Sequence, residues 1–253
     1  MGTLEGKVAF ITGAGQGVGQ GIAFALAREG ASIAVSGRTE SKLTDTVEQI
    51  RAFGGTAEPI VCDIADTAQI TAAIDRTVEV FGGVDILVNN ASLNPLGPLL
   101  ELTPELMAKA YGSGPIAALH AMQAVYPIMK ERGGGNIVNL VTSAAVRWDT
   151  SGYGAYASVK EALRSLTRTA ASEWGPDNIR VNAVSPHALS PGLKWWTENR
   201  PEEAAEFVAT IPLRRIGECE EDIGRAVAWI VSDGARYLTG ATVPLDGGQA
   251  RWS

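Results

Sequence analysis

The sequence predicts an α/β fold, a parallel sheet wound by helices on both faces. Two observations carry that expectation. Short apolar runs rich in Val and Ile alternate with amphipathic stretches of helical length, as strands buried on both faces and joined by crossover helices must. The first such run leads straight into a glycine-rich turn, Thr12-Gly13-Ala14-Gly15-Gln16-Gly17-Val18-Gly19, which opens a helix.

Taken in order, strands are expected at residues 7–12, 32–36, 56–62 and 84–89, with helices at 18–29, 40–53 and 67–81 between them. The second half continues with a long helix over 104–130, a strand at 136–141, a helix at 154–174 and a strand at 178–184. Gly112, Gly114 and Pro115 should kink or interrupt the long helix, because glycine is loose there and proline removes a helical hydrogen bond. A less regular stretch over 186–212 precedes a helix at 221–232 and a last strand at 241–245. No linker, repeat or low-complexity segment divides the chain, so residues 1–253 are read as one domain.

Composition limits the function. A hydrophobic content of 45% with 19% charged residues suits a globular protein with a substantial core. The formal net charge is −7 and no Lys/Arg run occurs, which argues against nucleic acid or an anionic membrane as a partner. Cys62 and Cys219 are the only cysteines and make no disulfide framework, as expected in a reducing cytoplasm. The apolar run Val8-Ala9-Phe10-Ile11 is too short for a secretion signal, and no run approaches the ~18 residues of a membrane span. No metal site is expected.

Within 154–174, Tyr156 and Lys160 stand four residues apart, one helical turn on the same face. An ammonium held beside a phenol stabilises the phenolate, so Lys160 should pull the Tyr156 pKa down from about 10 and fit it for general acid/base work. The glycine turn has the spacing Gly13-x3-Gly17-x-Gly19. Such a turn lets a pyrophosphate approach a helix N-terminus, where free N–H groups and the helix dipole favour anions.

Further motifs stand in order: Asn89-Asn90-Ala91-Ser92, then Ser143 thirteen residues before Tyr156, Arg180-Val181-Asn182-Ala183-Val184-Ser185-Pro186, and the closing Leu238-Thr239-Gly240 … Asp246-Gly247-Gly248. With these the chain resembles the short-chain dehydrogenase/reductase family over nearly its whole length. The resemblance implies a Rossmann-type fold and hydride transfer between a nicotinamide cofactor and a carbonyl or secondary alcohol. Ser143 and Tyr156 would hold the substrate oxygen, Tyr156 would carry the proton, and Lys160 would lower the Tyr pKa and bond the nicotinamide ribose. Cofactor contacts are implied at Gly13, Gln16, Gly17, Val18 and Gly19. Others are implied at Asp63, beside the adenine, and at Ile64, Asn90, Lys160 and Pro186. A helix cap is the alternative role for Asp63.

Cofactor preference is read after the second strand, at Ser36-Gly37-Arg38. An acid there accepts hydrogen bonds from the adenosine ribose hydroxyls and repels a 2′-phosphate. Gly37 stands where NAD-preferring relatives carry that acid, and the guanidinium of Arg38 suits a phosphate. NADP(H) is therefore favoured over NAD(H), although Gln16 occupies a position that is basic in many NADP-preferring relatives. A solvated loop arginine is the other reading of Arg38.

The chain departs from the family pattern at several places. The helix asparagine that holds a water beside the lysine falls on Gly114, and Ser113 or freed carbonyls are candidates to replace it. Pro-Gly becomes Pro186-His187, with Pro191 and Ser190 where a hydroxyl is expected, and Ser92 replaces a glycine. A lid is expected over 188–210. Asn94, Trp148, Tyr153, His187, Leu189, Trp195 and Trp196 are candidate walls of a mainly apolar pocket for a cyclic or aromatic ketone or alcohol. Adjacent Trp195 and Trp196 should face opposite sides. The resemblance implies a homotetramer, with a dimer as the alternative. Rival functions are a 3-oxoacyl-carrier-protein reductase and a cofactor-binding protein without redox activity.

Overall fold

The computed structural model describes residues 2–147 and 152–252. Seven parallel strands form one sheet in the order β3-β2-β1-β4-β5-β6-β7. They are β1 (Val8–Thr12), β2 (Ser32–Gly37), β3 (Thr56–Val61), β4 (Ile86–Asn89), β5 (Gly135–Leu140), β6 (Ile179–Pro186) and β7 (Thr242–Leu245). After β3 the chain crosses to the far side of β1, so the order reverses between β1 and β4. The loops part at that point and leave a crevice at the C-terminal strand ends. The register pairs Thr12 with Ser36, Asn89 with Asn139 and Leu140 with Val184, which aligns those ends on one edge.

Alternate strand residues feed two cores, as the period of two requires. Ala9, Ile11, Val35 and Val88 pack under α1 (Gly17–Arg28), α2 (Glu40–Ala52) and α9 (Arg225–Val231), against Ile22, Leu26, Leu43 and Val227. Phe10, Ala34, Leu87 and Ile137 face α3 (Thr67–Phe81), α5 (Ala117–Glu131) and α6 (Gly154–Trp174), against Ile74, Met122, Val125 and Ala170. Each fully buried large apolar side chain contributes about 1.5–3 kcal/mol relative to exposure, and the two layers fix the strand ends that carry the site.

The long helix expected over 104–130 is broken. α4 (Pro104–Tyr111) gives way to a wide turn, Gly112–Ile116, before α5 begins, and Gly114 leaves helical geometry at φ −100°, ψ −108°. The reason is steric as well as local: a Cβ on Gly114 would lie 2.5 Å from Val159 Cγ1, so only glycine lets this turn press against α6. The helix expected over 221–232 also starts late, because its first residues form a wide turn, Cys219–Gly224. The stretch over 186–212 is more regular than expected and holds α7 (Pro191–Asn199) and α8 (Pro201–Thr210). Pro191 and Pro201 stand at helix starts rather than interrupting helices, where a missing N–H costs nothing. Ser190 caps α7 by accepting the Leu193 N–H at 3.4 Å.

Candidate active site

At the switch point, the glycine turn is shaped by backbone demands that only glycine meets. Gly13 and Gly17 have φ of +67° and +61°. At Gly19 a Cβ would lie 2.5 Å from both the Gly13 carbonyl oxygen and the Asn90 amide nitrogen. Asn90 donates its side-chain N–H groups to the carbonyls of Thr12 (2.9 Å) and Gly13 (3.2 Å), while Thr12 Oγ1 accepts the backbone N–H of Asn90 at 3.0 Å. Asn90 thus ties the β4 end to the turn. Gln16 stands at the N-cap of α1 without a side-chain cap bond, so the first N–H groups of the helix face the crevice, followed by half-buried Val18. A narrow glycine cradle at an uncapped helix N-terminus fits a dinucleotide pyrophosphate.

Arg38 is exposed just beyond β2. Gly37 lies across from the turn: a Cβ on it would sit 3.9 Å from Gly13 Cα. The sequence reading overlooked Lys42, on the first turn of α2, which donates to Gln16 Oε1 at 2.6 Å. Its only signal was a second cation shortly after Arg38, inside the helix that follows β2. Asp63 is not the cap of α3. Asp66 takes that role, accepting from Ala68 and Gln69, and the Asp63 carboxylate instead accepts the Ala65 N–H at 3.0 Å beside half-buried Ile64.

The chemistry-bearing side chains gather on the end of β5. Lys160 is fully buried and donates to the Leu140 carbonyl at 2.8 Å. Tyr156, one turn earlier on α6, shares a hydrogen bond with the Thr142 hydroxyl. Ser143, also buried, follows in the same segment and donates to Gln249 Oε1 at 2.7 Å. Neither Thr142 nor Gln249 was singled out in the sequence, and Gln249 carries no local signal, being 106 residues from its partner. Pro186 ends β6 alongside, paired with Leu245.

The electrostatics depart from expectation. Burial pushes the Tyr156 pKa up, the Thr142 bond opposing this and Tyr153 adding to it. Lys160 Nζ stands 5.7 Å from the centre of the Tyr156 ring and donates one of its N–H groups to Leu140, and burial of the phenol overrides the expected lowering. Burial also depresses Lys160 itself, from 10.5 to about 8. Tyr156 is therefore a protonated donor at neutral pH.

Where the family's helix asparagine would stand, Gly114 lines a cavity of about 10 Å³ together with Asn89, Ser92 and Lys160, about the space of one water molecule. The Ser113 hydroxyl is turned elsewhere, donating to the Lys109 carbonyl and accepting the Leu93 N–H, both at 3.1 Å. Ser92 donates to Asn94 Oδ1 at 2.5 Å.

Over the C-terminal edge, Trp196 and His187 both meet the Phe207 ring edge-on, with centroids 5.6 and 5.3 Å away. Burial holds His187 below the usual histidine pKa, Asp246 opposing and Arg147 adding to this, and its buried Nδ1 has no hydrogen-bond partner among the described residues. Leu189 is half-buried, its N–H bonded to the Gly217 carbonyl at 2.8 Å. Trp195, by contrast, is 62% exposed, so the adjacent tryptophans do face opposite ways and only Trp196 joins the aromatic cluster. Tyr153 lies 6.2 Å from the Tyr156 ring. Trp148 lies outside the described residues.

Comparison with known proteins agrees with this geometry. A family model described as enoyl-(acyl carrier protein) reductase matches residues 13–250. A 12alpha-hydroxysteroid dehydrogenase from a Clostridium species is 36% identical over 259 residues, covering 99% of each chain. A 7 alpha-hydroxysteroid dehydrogenase solved with NADH and 7-oxo glycochenodeoxycholic acid superposes with a TM-score of 0.91 at 34% identity, covering 98% of this chain and 96% of that one. A blue fluorescent protein from a metagenomic library, solved with NADPH, gives 0.89 at 35% identity, covering 98% and 100%. Sheet order, glycine cradle and the side chains gathered on β5 thus coincide with a match along the whole chain, and the protein belongs to the short-chain dehydrogenase/reductase family of oxidoreductases, enzymes of alcohol and carbonyl groups.

Proposed function

We propose that this protein reduces an apolar, cyclic ketone to a secondary alcohol with NADP(H), and catalyses the reverse reaction when the alcohol is in excess. The observation that carries the reading is the placement of Tyr156, Lys160 and Ser143 on three neighbouring points of the β5 end, Thr142, Leu140 and Ser143 itself. The bound cofactor supplies the hydride. Ser143 Oγ and Tyr156 Oη bind the carbonyl oxygen, and Tyr156 gives that oxygen its proton. Lys160, a buried cation one turn along α6 with a pKa of about 8, can pass a proton onward. A phenol kept protonated by burial supports the reductive direction at neutral pH.

Exposed Arg38, with Lys42 in the first turn of α2, supports a 2′-phosphate, two cations with no acid at Gly37. The ring cluster of Trp196, Phe207 and His187, and Tyr153 beside the Tyr156 ring, support an apolar polycyclic substrate. So do relatives named for hydroxysteroids. On this reading residues 1–253 are one cytoplasmic domain with 188–210 as the lid. It assembles as a homotetramer through the long-helix region, α6 and β7, and Ile116, in the turn before α5, is 55% exposed.

Two measurements test the proposal. Titration with NADPH and NADH, followed by nicotinamide fluorescence, should show tighter NADPH binding, with the preference lost in Arg38→Ala. Equal binding would remove the phosphate assignment. Turnover with a panel of cyclic ketones should disappear in Tyr156→Phe, and near-full activity in that variant would refute the proton-transfer role.

A further inference from the structure

The Ser143 hydroxyl has one proton to give, and in this structure it gives it to Gln249 Oε1 at 2.7 Å. Gln249 is held there by a built turn. The buried Asp246 carboxylate accepts the N–H groups of Gly248 (3.0 Å) and Ala250 (3.2 Å) and the Trp252 indole N–H (3.3 Å). Gly247 and Gly248 lie at φ +66° and +84°. Arg164 of α6 covers the Trp252 ring at 4.9 Å, which secures the far end of the segment. Both anchors belong to the frame of the site: Asp246 follows β7, and α6 carries Tyr156 and Lys160.

Resting on the proposed reaction, we infer that Gln249 is the positioning residue of Ser143, a switch of its hydroxyl between a closed and a substrate-ready state. With Oε1 toward Ser143, as here, the Ser proton is occupied and its hydroxyl offers only lone pairs to the crevice. A half-turn of the amide puts Nε2 in the same place. Nε2 then donates to Ser143 Oγ, and the Ser143 proton is released toward the substrate carbonyl oxygen. A primary amide is the side chain that performs both roles without moving its backbone. A carboxylate can only accept, and would hold the serine proton away from substrate for as long as it is ionised.

The decisive variant is Gln249→Glu, read as a ratio to wild type across pH with NADPH and 9,10-phenanthrenequinone, an activated polycyclic dicarbonyl. Ionised Glu is acceptor-only, while protonated Glu can donate to Ser143 and release its proton. The ratio should therefore be near one at acid pH and fall by about tenfold as pH rises through the carboxyl pKa, the worth of one hydrogen bond to a charged group. Gln249→Ala should lower kcat/KM by about three- to tenfold through kcat, with no new pH step. The contact is read without turnover by a denaturation cycle of Ser143→Ala, Gln249→Ala and the double variant, which should be non-additive. A pH-independent Gln249→Glu ratio, with wild type active, would overturn the switch and leave the proposed reaction standing. An additive cycle would overturn the contact itself. Wild type inactive on every carbonyl would instead refute the reaction, a result distinct from both.

Discussion

The approach of Gly114 to Val159 makes a quantitative prediction about α6. In Gly114→Ala the new Cβ would stand 2.5 Å from Val159 Cγ1, where carbon atoms normally rest about 3.5–4.0 Å apart. Relief by side-chain rotation is limited, because Val159 is fully buried and β-branched on α6. The overlap must be absorbed by shifting α6 or the turn, at about 1–3 kcal/mol. Thermal unfolding of a chain this size should then drop by about 2–12 °C. Because Val159 precedes Lys160, turnover should fall in parallel. Val159→Ala alone leaves a cavity costing about 1–3 kcal/mol, but it also removes the atom that clashes. The double variant should therefore be more stable than the sum of the singles by about 1 kcal/mol or more, and should recover part of the turnover. Unfolding by differential scanning calorimetry and steady-state kinetics on all four proteins measure this. A Gly114→Ala protein within about 0.5 kcal/mol of wild type, or strict additivity, would refute the steric account.

Two further outcomes follow from the charges. Lys160 has a folded pKa of about 8 against 10.5, so between those values the unfolded chain holds a proton that the folded one has shed. Raising pH through that window stabilises the fold, by up to about 3 kcal/mol over its full width. Denaturant unfolding of wild type and Lys160→Met from pH 7 to 10.5 should show the advantage of the Met variant shrinking by that order, and a constant gap would contradict the burial of the charge. Gly37→Asp should shift the ratio of NADH to NADPH affinity by about 10–100-fold toward NADH, the worth of a charge-assisted hydrogen bond to the ribose. The Leu43 methyl 3.2 Å from its Cβ is a side-chain end that can give way. An unchanged ratio in fluorescence titration would place the adenosine elsewhere.

The sequence by itself determined the alternation of strands and helices, the glycine cradle and the spacing of Tyr156 and Lys160. Each is set by local rules: a period of two or 3.6, a positive φ that glycine meets, and a helical turn that stacks residues four apart. It also foretold the break at Gly112–Ile116 from two glycines and a proline. It did not foretell why glycine is needed at 114, since the obstacle, Val159, lies on another helix. The helices α7 and α8 were missed because Pro191 and Pro201 signal a break and a helix start alike, and packing against neighbours decides between them. Tertiary structure decided the electrostatics as well. Spacing put an ammonium beside a phenol, but the fold buried both and turned one Lys160 N–H to Leu140, and desolvation outweighs attraction at Tyr156. Lys42 at Gln16 and Gln249 at Ser143 meet their partners only because the strands end on one edge. No local pattern encodes a contact across 106 residues, because such a contact exists only once the sheet has closed the distance.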